Sequence, residues 1–443
     1  MVSDSHEFHR IPAVVWMLHP EEGDSWALHG EYDDLLWQAL CTKLELQGTV
    51  ATVMSELPQS WEPFPDIIVL SALNRTAPQA VNWLHRVREA NFLGPIYVTG
   101  RAGFEFVNAF GRSFQCQYMP EDELPSVLGG TDGNSNWWAT TTPDRGNRPK
   151  LQQGVLDIQA TRGCDYACSF CSVELCRDGS RRRWFARPPA DIAREIGRLC
   201  KTGTDRVQFI DDSFLGSPRE SPTWVDELSR QLKRYAPDIR FSIYARLDAT
   251  LIKCLPALRD SGLIQVHGGV ECAHDKTLKR LRKGVSISTI NRACVELFRL
   301  GIELVPSFIV FEQRSSAEEV SATLDWIQCG NWEAYFTSSR LLPYAGTKVL
   351  TEFTSRLGFK PKFMDAHANV AVDLPFDHPA VAEAWTAAKD FELYHRDKLD
   401  RLMRHRMRRD TDLQCRSRLE DPLIQELALL RSQQISIIRS ILD

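Results

Sequence analysis

Three cysteines in this chain of 443 residues stand close enough together to act as one group. Thr161-Arg-Gly-Cys164-Asp-Tyr-Ala-Cys168-Ser-Phe-Cys171 is a C-x3-C-x2-C triplet placed directly after an apolar strand candidate. Thiolates from one short loop can each take one iron of a 4Fe–4S cluster. Its usual complement is four cysteines, so three leave one iron open to an outside ligand. The plain alternative is a set of buried or metal-structural cysteines. Structural zinc wants four closed ligands, however, and the nearby Cys176 has no C-x2-C partner. Cys116, Cys200, Cys254, Cys272, Cys294, Cys329 and Cys415 show no close pairing, which argues against a second cluster of standard spacing.

A loop that carries chemistry needs rigid elements beneath it. Strands are expected at Val155–Ala160, Arg206–Asp211, Arg240–Ala245, Leu263–Val270, Ile302–Val310 and Ala334–Leu341. Helices are expected between them at Pro189–Lys201, Pro222–Tyr235, Leu251–Ser261, Ile287–Leu300 and Ala317–Cys329. Six such units suit an incomplete barrel better than a closed eight-stranded one, and barrels keep their active sites on the loops that follow the strands. Residues 11–128 repeat the alternation, with strands at Ile11–Leu18, Val50–Met54, Asp66–Leu73 and Pro95–Gly100. Helices are expected there at Tyr32–Leu46, Ala77–Ala90 and Glu121–Leu128. Repeated βα units imply a parallel sheet covered on both faces. Gly129–Gly154 shifts to Gly, Asn, Thr, Asp and Pro and reads as a linker. From Pro379 onward the pattern is helical, with a break near Asp421-Pro422.

Composition narrows the function classes. With 53 Lys+Arg against 58 Asp+Glu the net charge is −5, so no global field points to nucleic acid or a membrane surface. No apolar run approaches the roughly 18 residues that span a bilayer. Met1–Arg10 has no apolar signal core, and twelve cysteines without one read as reduced thiols or metal ligands, so the expected compartment is cytoplasmic.

The triplet resembles that of the radical S-adenosylmethionine (radical SAM) superfamily. Phe170 stands where many members carry an aromatic before the last cysteine. Five further segments resemble strand ends of the cobalamin-binding subgroup, in the expected order. They are Phe209-Ile-Asp-Asp-Ser-Phe214, Ala245-Arg246-Leu-Asp248, Gly268-Gly269-Val-Glu271, Leu278-Lys-Arg-Leu-Arg-Lys-Gly284 and Leu342-Pro-Tyr-Ala-Gly346-Thr347. The resemblance implies that Cys164, Cys168 and Cys171 hold a 4Fe–4S cluster whose open iron takes the amine and carboxylate of S-adenosylmethionine. Asp212, Ser213, Arg246, Gly269 and Glu271 become candidates for holding that cofactor. An ammonium wants carboxylate or hydroxyl acceptors, and a carboxylate wants an arginine fork. For each residue singly, a structural salt bridge at a strand end is the equal alternative. Tyr344 and Thr347 can serve simply to turn the chain. The implied chemistry is a 5′-deoxyadenosyl radical, made with one electron from an external reductant of the flavodoxin or ferredoxin type.

The first βα series resembles a cobalamin-binding domain, whose fingerprint runs D-x-H-x-x-G, S-x-L and Gly-Gly. Ser71-Ala-Leu73 and Val98-Thr-Gly100 match the second and third parts. Asp24-Ser-Trp26-Ala-Leu-His29-Gly30 falls near the first, with Trp26 in the place of the metal-ligating histidine and Arg101 in that of the second glycine. Trp26, Ser71, Leu73 and Gly100 are thus the expected cobalamin contacts, with no strong lower nitrogen ligand. His29 and His19 read first as solvated polar residues. A doubly wound fold that has lost its cofactor is the alternative.

The fold class expected is therefore α/β. An amino-terminal doubly wound, Rossmann-like domain of cobalamin-binding type (1–130) and a linker (131–154) precede a partial (β/α)6 radical SAM barrel (155–350) and a helical carboxy-terminal domain (351–443). The implied activity is cobalamin-dependent methylation of an unactivated carbon in a small molecule. Rival activities are radical oxidation, rearrangement or sulfur insertion without methyl transfer, and a non-catalytic iron–sulfur sensor is the rival outside enzymes. Arg177, Arg181, Arg182, Arg183 and Arg187 read as a solvated loop, or as a site for an anionic substrate group. His395–Arg409, with seven Lys or Arg against two Asp, reads as a solvent face or a dock for an acidic partner. Trp137, Trp138 and Trp184 read as core packing, or as the lining of an interdomain cavity.

Overall fold

The computed structural model describes residues 14–18, 50–54, 64–71, 77–99, 103–119, 151–152, 155–171, 183–201, 203, 205–344, 347–358, 374–411 and 421–443. The chain divides into two units, Met1–Asp144 with Lys362–Asn369 and Arg145–Pro361 with Val370–Asp443.

In the first unit, β1 (Val14–Leu18), β2 (Val50–Met54), β3 (Ile67–Ser71), β4 (Ile96–Thr99) and β5 (Cys116–Tyr118) form a parallel sheet in the order β2-β1-β3-β4-β5. That order reverses between β1 and β3, the switch point at which doubly wound sheets open a crevice. Helix α1 (Ala77–Glu89) buries Ala80, Trp83, Leu84 and Val87, spaced as one helical face. Helix α2 (Gly103–Phe114) and the three-residue β5 are absent from the sequence expectation. A strand of three residues shows no alternation, and glycines and phenylalanines are weak helix formers. What holds α2 is a ladder of rings four residues apart, Phe106–Phe110 at 5.2 Å and Phe110–Phe114 at 6.3 Å between centroids. Gln115, at φ 51°, turns the chain from α2 into β5. The helices expected at Tyr32–Leu46 and Glu121–Leu128 lie outside the described residues.

The second unit carries the six-stranded sheet β13-β12-β11-β10-β7-β6. Its strands are β6 (Leu151–Gln152), β7 (Val155–Ile158), β10 (Arg206–Phe209), β11 (Arg240–Arg246), β12 (Leu263–Glu271) and β13 (Glu303–Phe308). A small separate pair joins β8 (Thr161–Arg162) to β9 (Phe185–Ala186). All pairings of the large sheet are parallel except β6 with β7. Helices α3 (Pro189–Cys200), α4 (Ser221–Tyr235), α5 (Ala249–Asp260), α6 (Asp275–Arg280), α7 (Ile287–Arg299) and α8 (Ala317–Cys329) lie between and after the strands. All but the six-residue α6, which is absent from the sequence expectation, are close to their expected places. Alternation puts Val207, Phe209, Phe241 and Ile243 into the apolar core, each 0% exposed. Gln208, Ser242, Tyr244 and His267 take the intervening positions, and Tyr244 stacks on His267 at 4.6 Å.

The sixth strand expected at Ala334–Leu341 is instead a short 3-10 turn, Glu333–Tyr335, followed by one parallel bridge between Phe311 and Arg340. The carboxy-terminal helices take the backbone groups that a full strand would offer. They are α10 (Pro379–Tyr394), α11 (Arg396–Thr411) and α12 (Pro422–Leu442), following α9 (Lys348–Leu357). Glu392 on α10 accepts from the Ser338 N–H at 3.4 Å, Trp385 donates to the Ser338 carbonyl at 3.2 Å, and Arg406 on α11 donates to the Ala334 carbonyl at 3.3 Å. These helices share the core of the sheet through Val381, Ala384, Leu402, Leu427 and Ile435. The break read at Asp421-Pro422 is a helix start, where Asp421 accepts from the N–H groups of Leu423 and Ile424.

One ion network ties the top of the barrel together. Arg280, at the end of α6, donates to Glu312 at 2.9 Å and to Glu319 at 2.6 Å, and Arg314 reaches Glu312 at 2.7 Å. Glu312 is fully buried, and Glu319 also closes a capping box with Ser316 at the start of α8. Removing Arg280 leaves the buried Glu312 with Arg314 alone and takes the two-bond arginine partner from Glu319, so Arg280→Ala should cost up to about 3–5 kcal/mol in urea unfolding. Burial pushes Glu319 up, but Arg280 outweighs it and holds the carboxyl at about 2. Its contribution is therefore complete above the ordinary value of 4.5 and fades as the pH falls towards 2. The stability gap between the native protein and Glu319→Gln should narrow as unfolding is measured at pH 6, then 4.5, then 3.5.

Candidate functional site

The loop from Thr161 to Cys171 leaves the carboxyl end of β7 and is anchored along its whole length. Asp211, just past β10, accepts from the Ala160 and Thr161 N–H groups at 2.8 and 2.6 Å. The Asp165 N–H donates to the Gly216 carbonyl at 2.9 Å, and its carboxylate accepts from the Trp184 N–H at 3.0 Å. Gly216 is glycine for a spatial reason, since a Cβ there would collide with the Trp184 ring. Further on, the Ser169 N–H donates to the Leu281 carbonyl at 2.9 Å, and the Ser169 carbonyl accepts from the Val349 N–H at 3.0 Å. The loop thus touches β10, the Trp184 segment, the turn after α6 and the first turn of α9.

Its three thiols are free of disulfides, Cys168 buried and Cys164 and Cys171 half-buried. Burial pushes the Cys164 thiol up to about 11, and the nearby Cys171 and Cys168 thiols add to that push. Among the described residues no three His, Cys, Asp or Glu side chains close around a single metal ion. The influence of Cys171 and Cys168 on Cys164 marks the three thiols as neighbours, and a trio of thiolates suits a cluster in which each takes its own iron.

The second group of candidates is interlocked with this loop. Arg246, the last residue of β11, donates from Nη1 to Cys168 Sγ at 3.0 Å, from Nε to Asp248 at 3.3 Å, and from Nη2 to the Lys283 carbonyl. Its guanidinium lies over the Tyr166 ring, 3.8 Å from the centroid. The Tyr166 hydroxyl donates to Asp248 at 2.7 Å, and burial pushes that phenol above its usual range, so it stays protonated. Asp248 also caps α5 by accepting from the Thr250 and Leu251 N–H groups. Glu271 closes β12 at φ 64°, beside a register shift between β12 and β13, and pairs with Lys283 Nζ at 2.5 Å. Gly269 leaves room for this pair, because a Cβ there would meet the Glu271 carboxylate.

At the end of β10, burial pushes Asp211 up to about 7, against the pull of the Thr161 and Ala160 N–H groups. Its second oxygen, Oδ2, and the Ser213 hydroxyl are buried with no hydrogen-bond partner. Asp212, between them, is half-buried. Burial and Arg406 push His267, deeper on β12, down to about 4, so its imidazole is neutral.

Other sequence candidates have different fates. Ser71 ends β3, while Trp26, Leu73 and Gly100 lie outside the described residues. So do His19, His29, Arg177, Arg181, Arg182, Trp137 and Trp138. Arg187 is committed to the fold, since it pairs with Glu195 at 2.6 Å and donates to the Gln159 carbonyl. Trp184 packs edge-on against Trp224 at 5.8 Å, in keeping with a core role. Thr347 caps α9 by accepting from the Leu350 N–H at 3.3 Å and donates to the Tyr344 carbonyl at 2.6 Å, which turns the chain. Sequence reasoning missed Tyr166, Asp211 and Lys283. Each was inside a quoted motif, but only the fold shows which neighbour it meets.

Comparison with known proteins adds the family. The Radical SAM superfamily matches residues 158–327, a span that holds the cysteine triplet and the ends of β10, β11 and β12. An uncharacterised methyltransferase of Pyrococcus horikoshii is 26% identical over 194 residues, which cover 43% of this chain and 40% of that relative. The matched stretch is thus well under two thirds of the relative's length. Among solved structures, the cobalamin-dependent S-adenosylmethionine radical enzyme OxsB, with aqua-cobalamin bound, superposes with a TM-score of 0.70 at 14% identity. That superposition covers 96% of this chain and 72% of OxsB. The radical S-adenosylmethionine methyltransferase TsrM from Kitasatospora setae, with cobalamin and a [4Fe-4S] cluster bound, gives 0.60 at 15% identity, covering 79% of this chain and 76% of TsrM. Residues 158–327, with the cysteine triplet and the matched strand ends, are thus a radical SAM domain, and the chain shares the fold of OxsB and TsrM.

Proposed function

We propose that this protein is a radical SAM enzyme that methylates an unactivated carbon of a small molecule with the help of cobalamin. The observation that carries the radical half is the anchored loop of three cysteines outside any disulfide, at the carboxyl ends of parallel strands. A 4Fe–4S cluster held by Cys164, Cys168 and Cys171, with bound S-adenosylmethionine, would supply a 5′-deoxyadenosyl radical. The chain's own task is then to orient and to exclude water. Asp212 and Ser213 are suited to an ammonium, because the Ser213 hydroxyl is buried without a partner. The Glu271 carboxylate is steadied by Lys283, and Gly269 keeps the strand end open beside it. An external one-electron reductant belongs to this reading.

The methyl half is supported by the superposition on OxsB and TsrM and by the methyltransferase name of the Pyrococcus relative. The strand order of the first unit, with its switch point between β1 and β3, is that of sheets that bind cofactors at their carboxyl edge. A second reading, radical chemistry without methyl transfer, is favoured by Trp26 and Arg101, where the cobalamin fingerprint has histidine and glycine.

Anaerobic reconstitution of Cys168→Ala should bind less iron than the native protein and form no 5′-deoxyadenosine, because one thiolate is gone. Full cleavage of S-adenosylmethionine by that variant would remove the cluster assignment. Turnover with methyl-deuterated S-adenosylmethionine separates the two readings. Methylation should give a labelled product with S-adenosylhomocysteine and 5′-deoxyadenosine in step. An unlabelled product formed with 5′-deoxyadenosine alone would leave the second reading.

A further inference from the structure

We infer that Arg246 serves the cluster rather than the carboxylate of S-adenosylmethionine, as a fixed cationic donor to Cys168 that raises the cluster's reduction potential. The inference rests on the cluster assignment above. An arginine meant to fork a cofactor carboxylate needs free nitrogens and room to move. Three of the five N–H donors of Arg246, one on each nitrogen, already have partners within the chain, namely Cys168 Sγ, Asp248 and the Lys283 carbonyl, so its orientation is fixed. Its flat face is taken by Tyr166, and the residue is only 8% exposed.

The partners are themselves fixed. Asp248 is held by two helix N–H groups at 2.9 and 3.1 Å, and β11 is held by its pairing with β12 at Arg246 and Gly269. Tyr166, on which the guanidinium rests, lies inside the cysteine loop between Cys164 and Cys168. Swinging the guanidinium out to a ligand would break three hydrogen bonds and a stacked contact at once.

What remains is its effect on sulfur. A reduced cluster carries one more negative charge than an oxidised one. A buried cation that donates to a ligating sulfur favours the reduced form, so the potential rises. This matters to an enzyme that must accept an electron before it can cleave a sulfonium.

The test compares native protein, Arg246→Lys and Arg246→Met after anaerobic reconstitution. It reads iron and sulfide content, and the cluster's midpoint potential by paramagnetic resonance at poised potentials without S-adenosylmethionine. A native protein that holds no cluster would defeat the proposed function itself, before any variant is compared. With the cluster retained, the potential should fall from native to Lys to Met, while affinity for S-adenosylmethionine stays within about threefold. Unchanged potentials in both variants would overturn the inference, and more so with affinity weakened tenfold or beyond, because Arg246 would then be a cofactor ligand. Loss of the cluster in both variants would also overturn it, since a tuning contact is not needed to hold iron.

Discussion

Three thiols on an irregular loop can share one inorganic group only if something outside the loop fixes its backbone. Ordering each residue costs about 1–2 kcal/mol of conformational entropy, whereas a single hydrogen bond returns a net of about 0.5–1.5 kcal/mol. A loop without internal ladders must therefore borrow many anchors. Here they come from Asp211 and Gly216 on the segment after β10, Leu281 in the turn after α6 and Val349 on α9. The position of the thiols is thus a property of the whole barrel mouth. Asp211 shows what that takes, as one of its oxygens satisfies two backbone donors while the other is buried without a partner.

The charged side chains near the loop follow a similar logic. Burying an ion pair gains little stability by itself, because desolvation of both charges offsets their attraction. Arg246, Glu271, Lys283, Arg280 and Glu312 are nonetheless kept close together. Lys283 shows why this arrangement is specific. Its ammonium holds Glu271 at the end of β12, and its carbonyl receives Arg246 from the end of β11. One residue of the turn after α6 therefore sets the spacing of two neighbouring strand ends. Arg280, three residues earlier, fixes that turn to Glu312 and Glu319. Replacing this set with apolar groups would keep the fold and lose the register between the strand ends and the cysteine loop.

Much of this was legible in the sequence, for identifiable reasons. The strands from β10 to β13 declare themselves because one face of the sheet is purely apolar, and α8 ends where its periodicity ends. The cysteine triplet is legible because its spacing is local. What was not legible depends on contacts between distant residues. Tyr166 looks like a spacer between cysteines until Arg246 is laid on its ring, and Lys283 looks like the end of a basic run until Glu271 meets it. The sixth strand failed for the converse reason. Its residues have strand propensity, but the carboxy-terminal helices compete for the backbone groups of Ala334 and Ser338.

The two faces of the large sheet divide the labour. In a closed eight-stranded barrel the interior is filled by layers of branched apolar side chains and helps to stabilise the fold. Here the face opposite the apolar core carries Gln208, Ser242, Tyr244, Gln265 and His267, all but Tyr244 buried. Gln208 donates to the Tyr244 hydroxyl at 2.9 Å, which in turn lies against His267. A polar layer of this kind costs stability wherever an atom lacks a partner, as the His267 Nε2 and Gln265 Oε1 atoms do. The fold tolerates that cost because the helix-facing side supplies the hydrophobic burial alone. Stability thus constrains one face of each strand, and the other is left to chemistry, which is why the informative residues of this chain lie at alternate strand positions and at strand ends.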